Sequence, residues 1–176
     1  MKNRNLFSLS VIAISIILFF IRIVFISNTL LVDDEAYYAM YARHLSWGYI
    51  DHGPVVAFAI WIFTFFSESS FTVRLSSVSL MTLTSFLVYY FGKYIVNKKT
   101  ALSLSILISA NLMFHTNSII ITPDAPLAFF TINAIIFYYL AFFKSEKYIY
   151  LGGLMLGFAM LSKISALFPA LGIFIF

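Results

Sequence analysis

DDEAYYAMYARHLSWGYIDHGP, residues Asp33 to Pro54, decides how the chain is read. It gathers four of the seven acidic residues, two of the three histidines and five of the thirteen Tyr and Trp residues. On either side the sequence is almost continuously apolar. Charge concentrated in one short loop, straight after a first apolar span, marks a place of chemistry or recognition. The stretch is expected to be the first extracytoplasmic loop of a polytopic enzyme.

The composition agrees. The chain has 176 residues, is 62% hydrophobic and only 10% charged, whereas soluble domains carry roughly 25% charged residues. A soluble fold of this size has nowhere to hide so much apolar surface, so the expected solvent is lipid. The net charge of +4 is spread over short loops and does not gather on one face, which argues against a nucleic-acid partner. There is no cysteine, so disulfides, thiolate catalysis and Cys-based metal sites are excluded.

Outward from the acidic stretch, the spans follow from length. A bilayer core about 30 Å thick needs ~20 apolar residues as helix. Residues 6–27 satisfy this. They are too long for a typical signal-peptide core and no small-residue cleavage site follows, so an uncleaved span is expected. Arg22, near its far end, is expected to snorkel to the interface. Asp33 or Asp34 is expected to cap a helix. On that helix Tyr37, Tyr38, Met40, Tyr41, His44 and Leu45 fall on one face, and Glu35, Ala39, Ala42, Arg43 and Ser46 on the other. The pattern is that of a helix lying in the membrane interface, ended by Gly48. Residues 54–66 are too short to span easily and suit a re-entrant or interfacial helix. Further spans are expected over residues 71–91, 101–118, 125–143 and 148–161. A sixth apolar segment starts at Ile164 and the chain stops inside it, so the sequence reads as truncated. The expected fold is an all-α polytopic membrane protein with about five to six transmembrane helices plus interfacial helices in the outer loop 28–70.

Loop charges orient it. With residues 54–66 not crossing, Lys2, Arg4, Lys93, Lys98, Lys99, Lys144 and Lys147 share one side. Asp33, Asp34, Glu35, Asp51, Glu68 and Asp124 share the other. The N-terminus is therefore expected in the cytoplasm and the acidic loop outside.

Several groups could carry chemistry. Asp34 and Glu35 read as helix capping with solvated charge, or as a general base or metal ligand. A carboxylate partly desolvated beside aromatic rings can be tuned for such work. Asp51-His52-Gly53-Pro54 reads as a polar turn, or as a site where His52 meets a phosphate oxygen. Asp124, in Thr122-Pro123-Asp124-Ala125-Pro126, reads as a helix cap, or as a second acid facing the first cluster. Lys163, at the outer end of the fifth span, runs against the positive-inside pattern. It reads as a snorkelling lysine, or as a ligand for an anionic head group. Arg43 and Arg74 are weaker candidates of the same kind. His115 reads as an interfacial histidine.

Together these motifs resemble a known family. Asp34-Glu35-Ala-Tyr-Tyr38, His44-Leu-Ser-Trp-Gly-Tyr and Asp51-His52-Gly-Pro54 look like the first outer loop of the GT-C membrane glycosyltransferases. The resemblance is to the dolichyl-phosphate-mannose protein mannosyltransferase-like group, which includes the aminoarabinose transferases of lipid A. Thr122-Pro-Asp124-Ala-Pro-Leu resembles its second outer-loop motif, and the run from Gly153 to Lys163 resembles its glycine-rich helix ending in lysine. Many relatives have Pro-Pro where Gly53-Pro54 stands. The family usually has many more spans and a C-terminal outer region, so residues 1–176 read as its N-terminal part.

The resemblance implies inverting transfer of a sugar from a polyprenyl-phosphate donor to an acceptor hydroxyl outside a bacterial inner membrane. The acceptor would be a glycolipid such as lipid A, a polysaccharide or a protein. It implies Asp34 as the base, with Glu35 as the fallback and Asp124 orienting the acceptor or holding a cation. His52 and Lys163, then Arg43, would meet the lipid phosphate, with Asp51 and Tyr38 in the same substrate site. No metal ligand set is assigned, since some relatives use a divalent metal and others do not. A transporter would place charge near the bilayer midplane, which this chain does not. A non-catalytic subunit or relic is the other alternative.

Overall fold

The computed structural model describes residues 3–175. Lys2 and the side chain of Arg4, both counted for the orientation, lie outside this description, as does Phe176. The chain folds into helices α1 (Asn3–Ser27), α2 (Asp33–Arg43), α3 (Val55–Thr64), α4 (Ser70–Ile95), α5 (Lys98–Ala110) and α6 (Leu112–Asn117). These are followed by α7 (Asp124–Phe143), α8 (Tyr148–Ser162), a 3-10 turn (Ile164–Ala166) and α9 (Leu167–Ile175). Among the described residues there is no strand. The result is an all-helical membrane protein. Three helices, α1, α4 and α7, are long and apolar enough to cross a membrane, and α3, α8 and the 164–175 segment are shorter apolar helices.

α4 is the centre of the bundle and packs against α1, α3, α5 and α7. Half of its apolar window is buried, against 22% for each of α1 and α7. Its buried faces carry Ser76, Ser77, Thr82, Thr84 and Ser85. Small hydroxyl residues allow close helix approach in lipid, where apolar side chains gain nothing by leaving the solvent. Their oxygens are satisfied locally or across the interface. Ser85 meets Ser109 at 3.1 Å, Ser105 donates to the Ser85 carbonyl, and Ser77 donates to the carbonyl of Asn117.

The structure differs from the sequence expectation at three places. The segment 101–118 is not one continuous span. Asn111 ends α5 and starts α6, with its side chain accepting from the Phe114 N–H at 3.1 Å. Arg22 does not snorkel. It is 2% exposed between α1 and α4, and its Nη1 donates to Thr82 at 3.4 Å. The two faces of α2 divide differently from the expectation. The helix turns Glu35, Tyr38 and Ala42 inward and leaves Tyr37, Met40, His44 and Leu45 exposed. Tyr38 and Ala42 pack with Val56, Ile60, Val73, Met81, Phe114, Ile121 and Ala125 in the main core. α2 also ends at Arg43, before Gly48, and the Tyr49 hydroxyl lies there within hydrogen-bond reach of the carbonyl oxygens of Tyr41 and His44, at 2.9 and 3.1 Å.

Candidate functional site

The polar end of the bundle is built on one buried ion pair. Glu35 is fully buried and Arg74 is 3% exposed. Arg74 Nε reaches both carboxylate oxygens at 2.8 and 2.9 Å, and Nη2 reaches Oε2 at 2.5 Å. The remaining guanidinium hydrogens go to the chain leaving α1: Nη2 to the Leu30 carbonyl at 2.7 Å, and Nη1 to the carbonyl and hydroxyl of Thr29. Glu35 also accepts from the backbone N–H of Val32 and of Ile121, both at 3.0 Å. One carboxylate thus joins α2, α4, the end of α1 and the loop before α7. Burying two charges is tolerable when geometry is good and every remaining donor and lone pair is met, which is the case here.

Glu35 therefore stands where the sequence reading did not put it, inside the protein and without a free oxygen. Asp33 and Asp34 are the first two residues of α2, exposed, and neither caps it. The cap position is Val32, whose N–H the Glu35 side chain takes. Negative charge at a helix start is favourable in itself.

Tyr38 lies at the meeting point of the acids. Its phenol is raised above the ordinary tyrosine value, chiefly by burial and then by the charges of Asp34, Asp51 and Asp124 and by Tyr37. The His52 ring lies 5.7 Å from the Tyr38 ring. Asp51 is fixed by phenols: Tyr37 donates to its Oδ1 at 3.1 Å and Tyr41 at 3.4 Å, and Tyr41 also bonds Tyr37. Tyr49 stacks on Tyr41 with ring centres 3.7 Å apart. The Tyr41 phenol is likewise raised, by burial first, then by its bond to Tyr37 and the neighbouring Asp51 charge.

The third wall comes from α7 and α8. Asp124 does not cap α7. It accepts from Lys163 Nζ at 2.8 Å, and both side chains are about one third exposed, at 38% and 34%. The turn 51–54 fits against this wall because residue 53 is glycine. A Cβ there would sit 1.7 Å from the Leu161 carbonyl oxygen. That contact brings His52 and the Lys163 end of α8 together.

Of the residues singled out from the sequence, Asp34, Tyr38, Asp51, His52, Asp124 and Lys163 gather at one end of the bundle. Arg43 does not join them. It pairs with Glu68 at 2.9 Å on an exposed surface, beside a pocket of Leu31, Thr64 and Ser69. The structural importance of Arg74 and the phenols on Asp51 were missed. An arginine within the first turns of an apolar helix needs an acid, but Glu68 and Asp51 stand nearer to it in sequence than Glu35 does. Among the described residues no three His, Asp or Glu side chains are grouped to hold a metal ion.

Fold and site together define a membrane protein with its acids and a lysine assembled at one end. The model of the family described as dolichyl-phosphate-mannose-protein mannosyltransferase matches residues 51–176, and the chain belongs to that family of GT-C-type glycosyltransferases. The match starts at Asp51, so Asp34 and Glu35 lie just before it. No curated protein and no solved structure matches the chain.

Proposed function

We propose that this polar end transfers a sugar from a polyprenyl-phosphate donor to an acceptor hydroxyl, with inversion, on the outer face of a bacterial inner membrane. The acceptor is a glycolipid such as lipid A, a polysaccharide or a protein. The supporting observation is the convergence of Asp34, Asp51 and Asp124 about Tyr38, with Lys163 on Asp124. In this reading Asp34 is the general base. The acceptor oxygen forms a bond to the anomeric carbon, its proton passes to Asp34, and the bond from that carbon to the phosphate oxygen breaks. The leaving phosphate takes the electron pair. His52 and Lys163 are the donors that stabilise it, which is worth most where water is excluded. Asp124 holds Lys163 in place until the phosphate arrives, and Asp51 orients the acceptor through its phenol-fixed carboxylate. Glu35 is a positioning residue. Trp47 and Ile50, both exposed in the same loop, offer apolar surface to the lipid carrier. Basic residues at the far end of the bundle support a cytoplasmic N-terminus.

The test is Asp34→Asn in the full-length, normally inserted enzyme. Transfer is expected to fall by about 100-fold or more, with the melting temperature unchanged. Wild-type transfer by this variant would remove Asp34 from the mechanism.

A further inference from the structure

Arg43 and Glu68, set apart from the acids around Tyr38, line a pocket of about 270 Å³. The end of α2, the chain leaving α3 and the start of α4 meet there. Leu31 and Val73 give the pocket apolar walls, and Thr64 and Ser70 add hydroxyls. The two charges touch through one contact, Nη2 to Oε2 at 2.9 Å, and both side chains are more than half exposed, at 61% and 57%. A guanidinium carries five N–H donors and a carboxylate two oxygens. Among the described residues neither side chain makes another polar contact. Most of the Arg43 donors and one Glu68 oxygen are therefore open to a ligand. An exposed pair of this kind adds little to stability, so sharing its charges costs the fold little.

The position of the pocket narrows the class of ligand. α4 has 26 residues, a length of about 39 Å at ~1.5 Å per residue, against a hydrocarbon core of about 30 Å. Its ends therefore reach the level of lipid head groups, and the pocket lies at one of those ends. Leu30, next to Leu31, and Phe65 and Phe66, just after Thr64, are largely exposed. A charged pocket whose wall-forming segments also carry open apolar side chains suits an amphipathic molecule. Its rim holds one positive and one negative charge, which suits a head group that holds one of each.

We infer that this pocket binds a phospholipid whose head carries both a phosphate and a primary ammonium, the phosphate on Arg43 and the ammonium on Glu68. Each charge of the protein then keeps its first partner and gains a second through charge-assisted hydrogen bonds. A glycerol head group has the phosphate without the ammonium, so Glu68 repels it. A choline head group has a cation without N–H, so it gives Glu68 no hydrogen bond. The site is separate from the proposed sugar-transfer site and does not depend on that reading.

The experiment is thermal unfolding of the full chain in detergent, titrated with dioleoylphosphatidylethanolamine, dioleoylphosphatidylglycerol or dioleoylphosphatidylcholine. The melting temperature is expected to rise saturably with the ethanolamine lipid. The other two are expected to need about 5-fold more lipid or more for half the shift. Arg43→Gln is expected to weaken the ethanolamine response by a similar factor. Glu68→Gln, which removes the repulsion, is expected to reverse the order so that the glycerol lipid acts at the lower concentration. Both changes are at exposed positions, so melting without lipid is expected to stay close to wild type. Ser70→Trp, which fills the pocket and changes no charge, is expected to reduce the shift. Lys163→Gln is expected to keep it. An equal response to the three lipids, an unchanged preference in Glu68→Gln, a full response in Arg43→Gln or Ser70→Trp, or loss of the shift in Lys163→Gln would each overturn the inference. A melting shift from farnesyl phosphate that Arg43→Gln abolishes would also overturn it, by giving the pocket to the sugar carrier.

Discussion

Glu35 and Arg74 are the two side chains on which the polar end depends. Each is fully enclosed, and each holds backbone from a different part of the chain. Removing one partner leaves a buried charge without a counterion, a loss of about 3–5 kcal/mol. Glu35→Ala or Arg74→Ala is therefore expected to lower the melting temperature strongly, and Glu35→Leu/Arg74→Met to lower it less than either single change. A double variant as unstable as the two singles combined would mean that the residues act separately. The phenols give a second prediction. Unfolded tyrosine loses its proton near pH ~10, while folded Tyr38 and Tyr41 hold theirs beyond it. Their contribution to stability is complete below pH ~10 and is lost as pH rises through the folded values. In an alkaline absorbance titration, Asp51→Asn is expected to move Tyr41 ionisation down, toward the ordinary value. An unchanged Tyr41 titration, read by difference against Tyr41→Phe, would break the link to Asp51. From sequence the acids and His52 could be singled out by type and position. Which acid was spoken for could not, because that depends on Arg74, 39 residues away.

Among elements, α2 is the one whose setting the sequence misjudged most. The pattern grouped Tyr38 with Tyr37 and Met40, and Glu35 with Ala42 on the other face, but the side that packs is Glu35, Tyr38 and Ala42. Hydrophobic periodicity cannot recognise a buried stripe that contains a carboxylate, because the carboxylate is made tolerable by a partner on another helix. The break at Asn111 was hidden for a similar reason. The flanking residues are apolar on both sides, and the turn depends on one side chain reaching the Phe114 N–H. The long apolar helices α1, α4 and α7 were legible because length and composition alone specify them. The turn 51–54 carries the prediction at this scale. Gly53→Ala would force a methyl group into the Leu161 carbonyl, so the turn and the end of α8 must part. Transfer is expected to fall about 10-fold or more, since ~1 Å misplacements cost that much or more, while α1 and α4 stay packed. Undiminished transfer in this variant would mean that the turn and α8 need not touch.

For the whole molecule, the separation of charge is the feature that sequence displayed best: six of the seven acids with Lys163 at one end, and Lys93, Lys98, Lys99, Lys144 and Lys147 at the other. The proposed orientation follows from it and can be read directly, because the chain has no cysteine of its own. A membrane-impermeant thiol reagent is expected to label Ser46→Cys in intact cells, and Glu146→Cys only after the membrane is opened. The reverse pattern would invert the topology and move the acids to the cytoplasm. The Glu35–Arg74 pair also has a consequence for biogenesis. Glu35 leaves the ribosome 39 residues ahead of Arg74. At ~5–20 residues per second that is about 2–8 s, during which the acid has no counterion and α1 has no α4 to pack on. The first quarter of the chain must wait at the membrane, unlocked, until Arg74 arrives. A nascent chain cut short before that point presents a bare carboxylate, a mark by which an incomplete product differs from a finished one.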